Sequence, residues 1–442
     1  MRLTRKRLCS FLVFVYCLFS VYAAYSVFFK SQLVARVHRV VSKKESLANE
    51  PLPLGKEVWN PWKEDEQAEQ RALQKKYEQD TERLKILVSR NEPTELQVQV
   101  WGKAAIGLFL WQHILDGVLE PADEDAQWRE GSLKSRRTLF SFITGPAVVP
   151  GHFSVESENV VLVLNGREEA KISYATQWLH YAQTLIQARR LQHVAVVLLG
   201  SERCDNDWMW PYLRRNGGFV ELLFLVYDSP WVNEVDVFQW PLGVATYRKF
   251  PRVEPDWSML RTSRPFLCNF LGTIYKNSSR ETLMEVLKKE GLDKLCWIAV
   301  RQEWQPNESK DSLRSYQDAL LESDLTLSPV GINTECYRIY EACSYGSVPV
   351  VEDVMTPGPC GNSTAFHSAP LQLLKSMGAP FIFIKNWADL PAILEKEKTM
   401  SLDEKVQRRK KLLEWYRHFK EQLRLKFTRS LEDAFLPQTK EG

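Results

Sequence analysis

Residues 316–353 read YQDALLESDLTLSPVGINTECYRIYEACSYGSVPVVED, and the order of apolar runs, turn residues and helical spacing in them decides the fold. A helix over 312–321 leads into an apolar strand at 325–327, Pro329 and Gly331 turn the chain, and a second helix is expected from 334 to 344. Gly346 closes that helix and Pro349 lies at the start of the next strand, 348–352. Strand, loop, helix and strand in this order are the repeating unit of α/β architecture.

The turn before the second helix is where such a unit carries chemistry. With Asn333 or Thr334 as the N-cap, the free N–H groups of the first turn and the positive end of the helix dipole form a site for a diphosphate. Arg338, about one turn inside the helix, is placed for a bidentate contact to phosphate oxygens, stabilising charge on a nucleotide leaving group. Glu341 follows three residues later on the same face, where a carboxylate can accept hydrogen bonds from two vicinal ribose hydroxyls. Spacing alone leaves a second reading open, in which Arg338 and Glu341 are a surface pair worth about 0.2–0.5 kcal/mol.

Outward from this segment the alternation continues. Residues 266–274 read as a strand, 280–290 as a helix and 296–300 as a strand. Towards the amino end, strands are expected at 160–164, 194–199 and 220–227, with a crossover helix at 172–189 between the first two. A proline-rich and aromatic passage, 228–265, separates the two sets. The expected fold is therefore α/β and GT-B-like, two Rossmann-like halves facing one cleft, with an acceptor half at 96–260 and a nucleotide-sugar half at 261–400. A carboxy-terminal helical segment fills 401–442.

The first thirty residues point to a membrane. After the basic tail 1–7, an uncharged run at 8–29 has the length a helix needs to cross a hydrocarbon layer of ~30 Å. One transmembrane signal anchor is expected, followed by a charged stem at 30–95 whose alternating signs suit a solvated spacer. A cleaved signal peptide is the competing reading, with Val21 and Ala23 as the small residues before the cut. Beyond the anchor, Cys204, Cys268, Cys296, Cys336, Cys343 and Cys360 suit an oxidising lumen, with their pairing open. Sequons at Asn277, Asn307 and Asn362 fit the same compartment. Lys and Arg total 58 against 55 Asp and Glu, a balance that excludes the basic footprint of a nucleic-acid binder.

The stretch 316–353 resembles the exostosin-type glycosyltransferases: Tyr316, Ser323, Pro329, Gly331, Arg338, Glu341, Ala342, Gly346, Pro349 and Val350 match that pattern in order. Thr334 and Ser347-Val348 stand where the pattern usually has Ser and Cys-Ile. A second resemblance covers nearly the whole chain. MRLTRKRLCSF from Met1, WGKAAIGL from Trp101, SFITGPAVVPGHFSV from Ser141, YDSPWVNEVDVFQWPLGVATYR from Tyr227 and APLQLLKSMGAPFIFIKNW from Ala369 are similar to the xylosyltransferases that act on ribitol 5-phosphate. The resemblance implies a single-pass type II protein of the Golgi membrane, UDP-xylose as donor, and the O-mannosyl glycan of α-dystroglycan as acceptor, with inversion at the anomeric carbon. Other transferases of the same pathway are implied partners.

An inverting transfer needs a base beside the acceptor hydroxyl. Asp228 is the chosen residue, just past the carboxy end of the strand at 220–227; Asp205, Glu168 and His152 are alternatives. Arg167 and Arg248 are the candidates to hold the acceptor phosphate. Two rival readings remain on the residues alone. One is a metal-dependent GT-A transferase using Asp205-Asn206-Asp207 or Glu234-Val235-Asp236; a divalent metal is not required by the preferred reading but stays open. The other is a non-catalytic Golgi protein that binds glycans or scaffolds transferases.

Overall fold

The computed structural model describes residues 95–436 apart from 103, 124–125, 147, 152–155, 255–256, 306–308, 357–359 and 361–369. The expected anchor, the stem up to residue 94, His152, Asn307 and Asn362 lie outside the described residues. Among the described residues no helix is long and apolar enough to cross a membrane.

The amino-terminal half opens with β1 (Leu96–Gly102) and a short helix, α1 (Ala105–Leu108), that runs on into a π-helical turn, Phe109–Ile114. A hairpin of β2 (Arg129–Ser135) and β3 (Thr138–Thr144) follows. Then come β4 (Asn159–Asn165), α2 (Glu169–Gln187), β5 (His193–Leu199), β6 (Val220–Val226) and β7 (Val237–Trp240). The seven strands form one sheet in the order β2-β3-β1-β4-β5-β6-β7, parallel except for the β2/β3 pair. The central strands are apolar on both faces because both are covered: Val160 to Leu164 and Val194 to Leu199 are all buried.

The second half runs α3 (Trp257–Arg261), β8 (Phe266–Thr273), α4 (Ser279–Lys289), β9 (Cys296–Arg301), α5 (Lys310–Leu321) and β10 (Ser323–Ser328). It continues with α6 (Tyr337–Ser344), β11 (Val348–Glu352), α7 (Gln372–Ser376), β12 (Ile382–Ile384), α8 (Leu390–Thr399) and α9 (Leu402–Phe435). Its five strands are all parallel, in the order β12-β11-β10-β8-β9. The chain is thus an α/β protein with two sheets, each with helices between its parallel strands.

Two expectations are corrected. The passage 228–265 is not only a separator: Val237–Trp240 forms β7, fully buried and parallel to β6. Helix α6 starts at Tyr337, with Cys336 extended as its N-cap at φ −140° and ψ 156°, so neither Asn333 nor Thr334 caps it. Those two residues are drawn elsewhere. Thr334 donates its hydroxyl to the Val354 carbonyl and its N–H to Thr356 Oγ1, while Asn333 Oδ1 accepts from the Glu335 N–H. Gly346 does end α6 as expected, at φ +67°, a backbone conformation that side chains disfavour.

Helix α9 fastens the two halves together. Its start carries a capping box of Ser401 and Glu404, and at about 1.5 Å per residue it runs for roughly 50 Å. Near its beginning Arg409 pairs with Asp324 of β10, both buried. Further along, Phe427 packs on Phe140, Phe224 and Trp240 of the amino-terminal sheet, and Glu432 accepts from Thr138 Oγ1 at 3.0 Å. A disulfide between Cys204, after β5, and Cys360, after β11, makes a second link between the halves. Cys268 and Cys296 join the paired strands β8 and β9, and Cys336 and Cys343 are free thiols.

Candidate functional site

Parallel α/β sheets place their sites at the carboxy ends of strands, where strand-to-helix loops gather. Here those ends come together from both halves. Arg167 follows β4, Glu202 follows β5, and Tyr227 and Asp228 follow β6; Arg280 lies in the first turn of α4 after β8, and residues 329–338 follow β10. Contacts across the gap show that these loops face one another. Asn333 Nδ2 donates to the Glu202 carbonyl at 2.8 Å, and the Arg167 guanidinium lies 5.7 Å from the Tyr337 ring centre.

On the carboxy-terminal side two guanidinium groups share a small space. Arg338 donates to the Leu271 carbonyl at 2.8 Å and lies over the Phe270 ring at 4.8 Å. Gly272 makes room for it: a Cβ there would fall 2.8 Å from Arg338 Nη2. Arg280 donates to the Thr273 carbonyl at 2.8 Å and lies over Tyr275 at 5.4 Å. Burial, then the charge of Arg338, push the Arg280 pKa below the usual arginine range. Among the described residues neither arginine forms an ion pair with a carboxylate. Two half-buried guanidinium groups with no ion-pair partner among the described residues are able to receive an anion, because a partly buried charge is costly until one arrives.

Arg338 and Glu341 do not form the surface pair that spacing allows. Glu341 is buried, and it accepts from the Ala245 N–H at 3.0 Å and from the Tyr316 hydroxyl at 2.6 Å. Burial raises its pKa. Glu335 behaves similarly: it accepts from the Leu242 N–H at 2.8 Å and from the Tyr340 hydroxyl, and burial pushes its pKa up to about 7. Both carboxylates therefore hold the segment that connects the two halves, directly after β7.

On the amino-terminal side, Arg167 bonds the Tyr227 hydroxyl and lies 3.4 Å from Glu202. Arg248 donates to the Gln305 carbonyl at 3.0 Å and sits between the rings of Tyr247 and Trp304, 5.4 and 5.8 Å away. Asp228 accepts from Gln239 Nε2 at 2.6 Å and from the Leu371 and Gln372 N–H groups at 2.6 and 3.1 Å, at the start of α7. Burial raises its pKa against those three hydrogen bonds. Of the alternatives, Asp205 and Glu168 are exposed, the latter 3.9 Å from Lys171. The two acidic triplets do not gather into one site: Asn206 accepts from the Ser201 N–H, Glu234 pairs with Lys426, and Asp236 pairs with Arg215. Asn277, the one described sequon residue, is exposed at the turn before α4.

Sequence reading missed Arg280, Glu202, Tyr337 and Trp304. Arg280 was within reach, since the argument applied to the start of α6 holds equally for the start of α4. Glu202 and Trp304 are brought in only by loops that no local pattern marks.

Two α/β halves meet over a cation-lined cleft, and the relatives give the class as a glycosyltransferase. The RXYLT1 N-terminal domain family matches residues 98–241 and the RXYLT1 C-terminal domain family residues 247–436. Ribitol-5-phosphate xylosyltransferase 1 of Homo sapiens is 64% identical over the full length of both chains, and that of Mus musculus 62% over the same span. This chain belongs to the ribitol-5-phosphate xylosyltransferase family. Among solved structures, the catalytic domain of starch synthase IV from Arabidopsis thaliana, bound to ADP and acarbose, gives a TM-score of 0.37 at 9% identity. That match covers 77% of this chain and 100% of the other, and so low a score adds nothing to what the two sheets show.

Proposed function

We propose that the chain transfers xylose from UDP-xylose to a ribitol 5-phosphate unit on the O-mannosyl glycan of α-dystroglycan, with inversion at the anomeric carbon. The observation that carries the donor side is the Arg280 and Arg338 pair, which forms no ion pair with a carboxylate among the described residues and so suits a diphosphate. As the bond from sugar to diphosphate breaks, negative charge grows on the leaving group, and cations fixed by strand carbonyls need no rearrangement to meet it. Glu341 is the proposed ribose contact: each of its oxygens spends one lone pair on a protein donor and keeps a second.

Acceptor groups come from the other half. Arg167 and Arg248 would hold the acceptor phosphate, and Asp228 would take the proton of the attacking hydroxyl. A raised pKa favours a base working near neutrality, and three hydrogen bonds leave a lone pair free on Asp228 Oδ2. The same reading puts the chain in the Golgi membrane as a type II protein, anchored by residues 8–29. The two disulfides support an oxidising compartment.

A donor screen tests the proposal. The detergent-solubilised chain should release UDP from UDP-xylose in the presence of a ribitol 5-phosphate acceptor, and much less from other UDP-sugars. Turnover of a different UDP-sugar in preference would overturn the donor assignment, and no turnover of any would overturn the reading of the cleft.

A further inference from the structure

Beside the cleft, the amino-terminal half carries a second built surface, outside the groups assigned above to the donor, the base and the acceptor phosphate. It lies between a 3-10 turn after β5, Asp207–Tyr212, and the loop 227–236 that joins β6 to β7. Trp210 is 42% exposed, and its ring meets that of Trp231 edge to face at a centroid distance of 4.8 Å. The Arg215 guanidinium lies over Trp210 at 4.9 Å. Together with Asn216, Pro230 and Asn233 these side chains line a depression of about 400 Å³.

The polar groups around the rings are held in place. Asn216 Nδ2 donates to the Trp210 carbonyl at 3.0 Å, Asn233 Nδ2 donates to Asp236 Oδ1 at 2.6 Å, and Arg215 lies 3.3 Å from the same oxygen. Asn216 Oδ1, Asp236 Oδ2 and the Nη2 of Arg215 make no hydrogen bond among the described residues. Trp210 is exposed and Trp231 half-buried, and apolar ring surface left in water costs free energy that a covering partner removes; the fixed amide, carboxylate and guanidinium groups beside the rings together supply donors and acceptors. A pyranose ring has matching chemistry, a C–H face to lie on indole and a rim of hydroxyls that both give and accept hydrogen bonds. An acyl chain offers no such rim, and six residues make too small a face for a stable protein interface.

We propose that Trp210 and Trp231 form a glycan-binding platform that takes a pyranose unit of the acceptor, beyond the phosphate-bearing sugar alcohol that enters the cleft. The location supports this occupant. The platform is on the acceptor half, and it shares both of its segments with the cleft: Trp208 of the 3-10 turn abuts Gly166, next to Arg167, and the loop with Trp231 begins at Tyr227 and Asp228. The inference rests on the acceptor being a glycan, as proposed above.

Trp210→Ala and Trp231→Ala test it on the full chain with two acceptors, free ribitol 5-phosphate and an O-mannosyl glycopeptide bearing ribitol 5-phosphate. The platform predicts a KM for the glycopeptide raised about tenfold, the scale of losing one aromatic anchor, with kcat and the KM for free ribitol 5-phosphate unchanged. Equal changes on both acceptors, or none on either, would overturn it. Binding of the glycopeptide without donor, followed by saturation-transfer NMR, gives a readout that does not depend on turnover. Contact signals from pyranose protons that vanish in Trp210→Ala sustain the platform even if xylose proves to be the wrong donor; signals that persist in both variants refute it. Unchanged UDP binding by each variant establishes that it is folded.

Discussion

Arg280→Met separates a binding site from a structural cluster. Methionine keeps an apolar stem against Tyr275 while removing the charge and the hydrogen bond to the Thr273 carbonyl. Loss of that hydrogen bond costs about 1 kcal/mol, and relief of the repulsion with Arg338 works in the opposite direction. The ligand-free variant should therefore stay within about 1 kcal/mol of the wild type in a urea titration. Nucleotide binding should respond quite differently. A charge-assisted hydrogen bond to phosphate is worth about 1.5–3 kcal/mol, so UDP affinity falls roughly ten- to hundredfold. With UDP at about 100 times its wild-type Kd, the wild type gains about 2.7 kcal/mol of stability from binding. A variant binding a hundredfold more weakly gains only about 0.4 kcal/mol at the same concentration. Unfolding with and without UDP reads both quantities in one experiment. Full stabilisation by UDP in the variant, or a loss of several kcal/mol without it, would refute the assignment of the pair to a diphosphate.

Arg338 should act more on turnover than on binding: Arg338→Ala lowers kcat by about 10²–10³, and Arg338→Lys restores only part of it, because a point charge lacks the planar fork. Rate measurements at saturating donor check this, and near-normal kcat would remove Arg338 from the transition state. Asp228→Asn should keep UDP binding while transfer falls by about 10²–10⁴, as measured by calorimetry and product formation. Loss of fold stability with normal specific transfer would instead reduce Asp228 to a cap on α7. Glu341→Ala should weaken UDP binding by about 1.5–3 kcal/mol, and unchanged affinity in the folded variant would end its role at the ribose. Glu335 carries a pH dependence whose sign follows from its raised pKa: its contribution is fully present below the unfolded value of 4.5 and is lost as pH rises through about 7. The rise corresponds to about 3 kcal/mol, so Glu335→Gln should stabilise the protein by up to that amount at pH ~8 and by only about 1 kcal/mol at pH ~5. A gain that is the same at both pH values would contradict a buried, raised carboxyl.

Much of the alternation in both halves was written locally, although β1, β2, β3 and β12 had not been expected. Apolar runs such as Val194 to Leu199 and helical spacing such as that of α2 depend on neighbours a few residues apart, so periodicity alone located them. The position of Arg338 near the start of α6 was legible for a similar reason, because a helix after a strand in an α/β unit presents its start to the strand ends. What periodicity could not supply was any relation between distant segments. Thr334 carries a good capping side chain, yet Val354 and Thr356 claim it, and the helix starts at Tyr337 instead. Glu341 and Glu335 accept from the backbone N–H groups of Ala245 and Leu242 respectively, about a hundred positions earlier, which makes them fasteners of the connecting segment. Cys204 finds Cys360 across 156 residues, and β7 is a strand only because β6 offers it an edge. That Arg280 and Arg338 form no ion pair among the described residues is likewise a property of the folded cleft, since an ion pair is defined by what lies nearby in space. Sequence determined most of the elements because their signals are local; tertiary contact decided how their side chains are partnered, because partners come from distant segments.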